Sequence, residues 1–150
     1  KNRIKAPKLI QKEMIDGVLV TRVPLFPSHD QSKLGRIANY VSFAFSSLIY
    51  GLFLAKRADV IYAYHPPLTV SISAVIIKFF RRAPVVLDIQ DMWPDTLKAT
   101  GMLSNACLLA CVSKLCNLIY RSVSQIVVLS PGFKKVFVLS FLHSGIRTAL

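Results

Sequence analysis

The chain contains few acidic residues and few cysteines. Only 7 of its 150 residues are Asp or Glu, against 19 Lys and Arg, which gives a formal net charge of +12. Its three cysteines, Cys107, Cys111 and Cys116, are spaced by four and five residues, which fits neither a CxxC pair nor a usual zinc array. We therefore expect no metal site, and ordinary thiols that pack as small hydrophobic groups in a reducing compartment.

Several functional motifs are also missing. The sequence has no GxGxxG, Walker A, nucleophile elbow or HExxH motif, so it lacks the residues of ordinary dehydrogenases, NTPases, hydrolases and zinc proteases. The basic residues occur singly or in pairs, without a zinc-finger spacing or a basic arm, which makes nucleic acid the least favoured partner. Solvated surfaces and an anionic membrane surface remain as explanations of the positive charge.

No targeting segment is visible at the start of the chain. Residues 1–13 are basic and polar, and no apolar run of signal-peptide length follows them. We predict that they are irregular or the end of a helix. The first residue is Lys rather than Met, so we expect the sequence to begin part-way into a longer protein.

Short strand-like runs alternate with longer helical periodicities along the chain. The predicted strands are VLVTRV at 18–23, ADVIYAY at 58–64, the run that begins at Val85, and QIVVL at 125–129. The predicted helices cover 33–56, 68–80 and 104–121, with a short one at 133–136. This alternation predicts one α/β domain with a Rossmann-like parallel sheet and helices on both faces.

The first predicted helix is unusually apolar. Residues 41–55 form an apolar stretch of fifteen residues, which is shorter than the ~20 residues that a membrane-spanning helix needs. Basic residues flank the stretch at both ends: Lys33, Arg36, Lys56 and Arg57. We therefore expect contact with protein or with a membrane surface rather than a membrane span.

The loops that follow the predicted strands carry most of the polar chemistry, because parallel strands end at one edge of a sheet. The densest cluster is PVVLDIQDMWPDT at 84–96, which holds three Asp, one Gln and the only Trp of the chain. Its carboxylates could accept sugar hydroxyls, act as a general base or stabilise local turns, and their D-x-x-D spacing is only weak evidence for metal ligands. Trp93 could form a wall against a sugar or a lipid, or pack in the core.

Three other loop features lie on the same predicted edge. His29 and His65 are lone loop histidines, for which solvation is the simplest explanation, although their shared edge favours a role in binding. Ser130-Pro131-Gly132 precedes a helix and exposes backbone N–H groups that can hold a phosphate.

Four segments resemble the N-terminal half of bacterial family 4 glycosyltransferases, closest to the O-antigen, capsule and colanic-acid group that includes N-acetylfucosaminyl transferases. These segments are IDGVLVTRVPLFPS, ADVIYAYHPP, VVLDIQDMWPD and IVVLSPGFKK. The resemblance covers residues 13–135. It implies a GT-B fold, in which two Rossmann-like domains face each other across a cleft. It also implies a transfer that retains the anomeric configuration of the sugar and that needs no cofactor or metal.

The resemblance also implies roles for individual residues. Gln90 and Asp91 stand where many relatives have His-Asp near the reacting sugar, so they are the expected catalytic pair, although Gln90 cannot accept a proton as His does. The remaining expected substrate-binding residues are Asp88, Trp93, Asp95, His65, His29, Ser130 and Gly132. The implied partners are a lipid-linked sugar acceptor and the anionic inner-membrane surface on its cytoplasmic side, with a nucleotide sugar as donor.

Two departures from the family pattern shape the functional expectation. The family's first strand and its glycine-rich loop would precede Lys1, and residues 136–150 fit the pattern poorly, so we expect them to be a tail outside the family domain. The expected function is that of a fragment of a surface-polysaccharide glycosyltransferase, inactive alone and with one strand edge unpaired. A basic peripheral membrane module without catalysis is the alternative.

Overall fold

The structure, a computed structural model, describes residues 10–27, 32–141 and 148–149. The strands are β1 (Gln11–Ile15), β2 (Val18–Arg22), β3 (Ile61–His65), β4 (Val85–Ile89), β5 (Gln125–Val128) and β6 (Thr148–Ala149). The helices are α1 (Lys33–Ile49), which continues into a π-helical segment (Tyr50–Leu54), α2 (Leu68–Arg81), α3 (Asp95–Ala99), α4 (Ala106–Ser122) and α5 (Pro131–Phe141).

Strands β3, β4, β5 and β6 form a parallel sheet in that order. Alternate residues of β4, namely Val85, Leu87 and Ile89, are fully buried, because they face the core to which α2, α4 and α5 contribute. This arrangement confirms the predicted α/β fold with a parallel sheet flanked by helices.

The other face of the sheet is less covered. Tyr62 and Tyr64 of β3 are 61% and 55% exposed, and Val86 and Asp88 of β4 are partly buried. Within the described residues β3 pairs only with β4, so one edge of the sheet is open.

The strand predicted at 18–23 is present, but its expected place in the parallel sheet was wrong. Val18–Arg22 is a strand, but it pairs antiparallel with Gln11–Ile15, a segment predicted to be irregular or helical. Asp16 and Gly17 link the two strands, both with positive φ (49° and 82°), as in a type I′ turn. A two-residue turn can join only antiparallel strands, so β1 and β2 form a hairpin that is separate from the parallel sheet.

Hydrogen bonds hold α1 along two sides. On one side α2 lies parallel to it, where the Thr69 hydroxyl donates to the Tyr40 carbonyl (3.2 Å) and the Ser73 hydroxyl donates to the Ala44 carbonyl (2.8 Å). On another side the Ser46 hydroxyl donates to the Pro24 carbonyl (2.5 Å). These bonds fix α1 on the protein.

The outward side of α1 carries an exposed apolar stripe. Its members are Leu34, Ile37, Val41, Phe45, Ile49 and Phe53. Leu34–Leu54 spans 21 residues with a mean hydropathy of 1.5, so by length and composition it is long enough to cross a membrane, and longer than the apolar stretch identified from the sequence. Two sides of α1 are hydrogen-bonded to protein, whereas the stripe faces away from both.

Two further expectations need correction. Only Cys116 packs as a small buried hydrophobic group, whereas Cys107 and Cys111 are exposed on α4. The last helix, predicted at 133–136, covers Pro131–Phe141. Its additional turn is stabilised by packing, because Phe137 is buried and its ring lies 5.2 Å from that of Tyr120.

Candidate functional site

The candidate site lies where β3, β4 and β5 end, which we call the carboxyl edge of the sheet. The backbone N–H of Gln90 donates to the carbonyl of His65 (2.9 Å), so the β3–β4 ladder continues one residue beyond β4. The chain then turns through Asp91–Pro94 into α3. This extension fixes the backbone from which the predicted catalytic pair projects.

Asp88 and Gln90 form a hydrogen-bonded group with Tyr62 on the less covered face of the sheet. The Tyr62 hydroxyl donates to Asp88 Oδ2 (2.6 Å), and the Gln90 amide nitrogen donates to Asp88 Oδ1 (2.5 Å). The hydrogen bond to Asp88 raises the pKa of Tyr62, and desolvation adds to the effect. Asp88 thereby orients the Gln90 amide, whose oxygen is the group that can accept a hydrogen bond from a ligand.

One of these three residues, Tyr62, was missed by the sequence analysis. Its contact with Asp88 depends on the register between β3 and β4, which the sequence alone does not give. In that register Tyr62 lies opposite Val86, and Tyr64 lies opposite Asp88. Period-two alternation places Tyr62, Tyr64 and Asp88 on one face, so this part of the signal was present in the sequence.

His65 lies in the core, whereas the sequence predicted a loop residue that is either solvated or binds substrate. It is the last residue of β3, its side chain is 0% exposed, and its ring lies edge-on to Trp93 (5.7 Å) and Tyr120 (6.4 Å). Burial lowers the pKa of His65 to about 4, although the charge of Asp91 acts in the opposite direction. His65 is therefore neutral at physiological pH, and neither ring nitrogen has a hydrogen-bond partner within the described residues.

Trp93 and Asp91 connect this buried histidine to the surface. Both are partly exposed, and Trp93 packs against the border of the core. The indole therefore has one side held by protein while part of the residue remains accessible to a ligand.

The chain's relationship to known proteins agrees with this geometry. The family model of the glycosyl transferase 4-like domain matches residues 6–139, most of the chain. The chain belongs to this family. Comparisons with curated proteins and with solved structures find no match.

Membership of the glycosyl transferase 4-like family confirms the resemblance to family 4 glycosyltransferases. In the structure the Asp88–Asp95 segment, with its three carboxylates, Gln90 and Trp93, follows β4 at the carboxyl edge of the parallel sheet, the edge at which α/β proteins commonly bind ligands. Carboxylate and amide oxygens there can accept hydrogen bonds from the hydroxyls of a sugar, and an indole can cover an apolar sugar face.

Two of the other predicted site residues, Asp95 and Ser130, have local structural roles. Asp95 is exposed in the first turn of α3, where a carboxylate suits the helix dipole. The Ser130 hydroxyl accepts the backbone N–H of Phe133 (3.2 Å), so Ser130 caps α5 and satisfies one of the N–H groups predicted to hold an anion. Gly132 is exposed in the first turn of the same helix. His29 lies outside the described residues.

Proposed function

We propose that this glycosyl transferase 4-like domain is the acceptor-side half of a retaining glycosyltransferase. The enzyme transfers a sugar from a nucleotide sugar to a lipid-linked acceptor during synthesis of a surface polysaccharide. The observation that carries the proposal is the Asp88–Asp95 segment at the carboxyl edge, in a chain that matches the family over most of its length.

The proposal gives each residue of the segment a role. Asp91 accepts a hydrogen bond from the acceptor hydroxyl and assists its deprotonation, and the Gln90 oxygen accepts from a neighbouring hydroxyl. Asp88 acts as a positioning residue through its bond to Gln90 (2.5 Å). Trp93 forms an apolar wall beside the sugar.

The proposed location is the cytoplasmic face of the inner membrane, where the domain binds peripherally. The net charge of +12 supports attraction to anionic lipids, and the exposed stripe of α1 supplies apolar contact.

Trp93 provides the assay, because it is the only tryptophan of the chain. Titration with a short-chain prenyl-diphosphate-linked sugar should produce a saturable change in Trp93 fluorescence. Asp91→Asn should weaken binding about tenfold or more, since hydrogen bonds to a charged group are worth roughly 1.5–3 kcal/mol. Asp59→Asn, which changes an exposed acid at the opposite edge of the sheet, is the matched control and should bind normally.

Two results would contradict the proposal. One is a fluorescence response that is absent, or equally weakened in the Asp59 and Asp91 variants. The other is turnover by this chain alone in a radiolabelled transfer assay with a full-length family member as positive control, which would exclude a purely acceptor-side role.

A peripheral membrane module without catalysis is the second candidate, and the exposed stripe of α1 favours it. The two functions separate when vesicle flotation and acceptor binding are measured on the Asp91→Asn variant. Intact flotation with lost acceptor binding supports the transferase, whereas acceptor binding that is insensitive to Asp91 supports the module.

A further inference from the structure

Tyr62 is both exposed and anchored on the less covered face of the sheet. Its side chain is 61% exposed, yet the hydroxyl at its tip donates to Asp88 Oδ2 (2.6 Å). The neighbouring Tyr64 is 55% exposed on the same face, and its hydroxyl makes no hydrogen bond within the described residues. The Tyr62 ring is therefore held at both ends, by the strand and by Asp88, while most of the side chain remains accessible.

The hydrogen bonds of this group use its donors internally and leave mainly acceptors for a ligand. The phenol has a single hydrogen, which goes to Asp88, and one amide hydrogen of Gln90 goes to the other oxygen of Asp88 (2.5 Å). The bond to Asp88 raises the pKa of Tyr62, so the phenol keeps this hydrogen at neutral pH. The phenol oxygen of Tyr62 and the amide oxygen of Gln90 remain as acceptors, against one remaining N–H of Gln90.

The same group is negatively charged and has no counter-ion. Neither Asp88 nor Asp91 forms an ion pair in the part of the chain that the structure describes. The two donors that hold Asp88 are a phenol and an amide, which are neutral and do not cancel its charge. The local charge at this edge is therefore negative, although the chain as a whole carries +12.

These features favour a neutral sugar over an acidic one. A neutral hexose offers hydroxyl hydrogens to the acceptors and an apolar face to an aromatic ring. A carboxylate on the same sugar brings a like charge and further acceptors to a group that already has both, which weakens binding.

We propose that Tyr62 is a specificity-determining residue of the acceptor site, and that with Asp88 and Gln90 it selects a neutral sugar and rejects an acidic sugar such as a uronic acid. The Tyr62 ring packs on the sugar and the phenol oxygen accepts one of its hydroxyls, while the charge of Asp88 repels carboxylates. The inference rests on the proposed function, because it concerns the sugar of the same acceptor.

Titration of Trp93 fluorescence with two matched ligands tests the proposal. The ligands are short-chain prenyl diphosphates that carry either glucose or glucuronic acid, so they differ only in a hydroxymethyl group or a carboxylate on the sugar. The natural chain should bind the glucose ligand about tenfold or more tightly, because like charges are brought together in the other complex. The net charge of +12 alone predicts the opposite order, so equal affinities or a preference for glucuronic acid would overturn the proposal.

Substitutions separate the charge from the phenol. Asp88→Asn removes the charge and keeps the size of the side chain, so it should remove most of the preference, whereas Asp88→Glu should retain it. Tyr62→Phe should weaken binding of the glucose ligand about two- to tenfold, because it removes one hydrogen-bonding group. Tyr64→Phe removes a hydroxyl from the same strand and face, and as the matched control it should bind both ligands normally.

A purely structural role gives different results. Equal effects of Tyr62→Phe and Tyr64→Phe would contradict the role of Tyr62, and an Asp88→Asn variant that loses affinity for both ligands by the same factor would contradict selection by charge. Circular dichroism confirms that each variant folds. If Asp88→Asn does not fold, the natural chain still decides, because its preference should shrink as the salt concentration rises. A preference that is independent of salt would contradict selection by charge.

The measurements also distinguish failure of this inference from failure of the proposed function. A saturable response to both ligands that shows no preference, but is still weakened by Asp91→Asn, would overturn the specificity and leave the acceptor site in place. The absence of any response to either ligand would overturn both.

Discussion

The buried histidine predicts how stability depends on pH. The unfolded chain takes up a proton on His65 near pH 6.5, but burial lowers the pKa of the folded group to about 4. Between these values the unfolded state binds more protons than the folded state, so the free energy of unfolding falls as the pH falls. Each pH unit is worth 1.36 kcal/mol, so the complete loss from pH 7 to below pH 4 is about 3 kcal/mol.

The groups that face His65 set this magnitude. Trp93 and Tyr120 pack against the ring and exclude water, whereas the Asp91 carboxylate favours the imidazolium and partly offsets the burial. Replacing His65 with Leu removes the titrating group together with two ring nitrogens that have no hydrogen-bond partner in the part of the chain that the structure describes. The variant should therefore be no more than slightly destabilised at pH 7 and clearly more stable than the natural chain at pH 4.5.

Urea denaturation followed by Trp93 fluorescence at several pH values measures the effect. The difference between the natural chain and His65→Leu isolates one group, because all other titrations cancel to first order. A constant difference from pH 7 to pH 4 would refute the burial argument. His65→Gln serves if the Leu variant misfolds, and an NMR titration of the His65 ring should give a midpoint near pH 4 in the natural chain.

Three other outcomes follow from the structure. Asp88→Asn should lower the pKa of the Tyr62 phenol, seen as one tyrosine that ionises earlier in an ultraviolet titration, and an unchanged titration would contradict the contact. A Cβ at Gly51 would lie 2.4 Å from Ile77 Cδ1, so Gly51→Val should cost about 1–3 kcal/mol in unfolding free energy, and adding Ile77→Ala should recover part of it. Tyr64→Lys at the open edge of β3 should slow aggregation in light-scattering assays, whereas aggregation at the natural rate would show that another surface is responsible.

Much of the fold could be predicted because the buried strands carry local patterns. Val85, Leu87 and Ile89 are apolar and are bounded by Pro84, so β4 was identified from the sequence and lies in the core as expected. Strand β1, QKEMI, was missed because its five residues are all exposed and show no alternation. The Asp16-Gly17 turn before β2 was the available signal, since a two-residue turn of this type requires a strand on both sides.

The site was harder to predict than the fold, because it depends on contacts between strands. The sequence placed Asp88, Gln90, Asp91 and Trp93 on one segment, but the assignment of Asp88 to one face and Trp93 to the border of the core came only with the structure. His65 was taken as a loop residue because Pro66 follows it. The alternation of ADVIYAY continues through His65, however, and puts its side chain on the buried face with Ala63.

The topology favours acidic residues at one edge of the sheet and basic residues at the other. A charged residue at either edge is therefore not by itself evidence of a functional site. In a parallel α/β unit the helices begin at the carboxyl edge, where the strands end, and they end at the amino edge, where the strands begin. The helix dipole therefore favours carboxylates at the carboxyl edge and cations at the amino edge, by roughly 0.3–1 kcal/mol each. Lys78 donates to the last carbonyl of α4, that of Ser122 (2.5 Å), and Arg81 donates to Ala55, so both stabilise helix ends. Lys56, Arg57 and Arg82 are exposed and make no such side-chain bond within the described residues. These three cations are therefore the ones whose removal lowers the positive charge where the strands begin without breaking a helix-end contact.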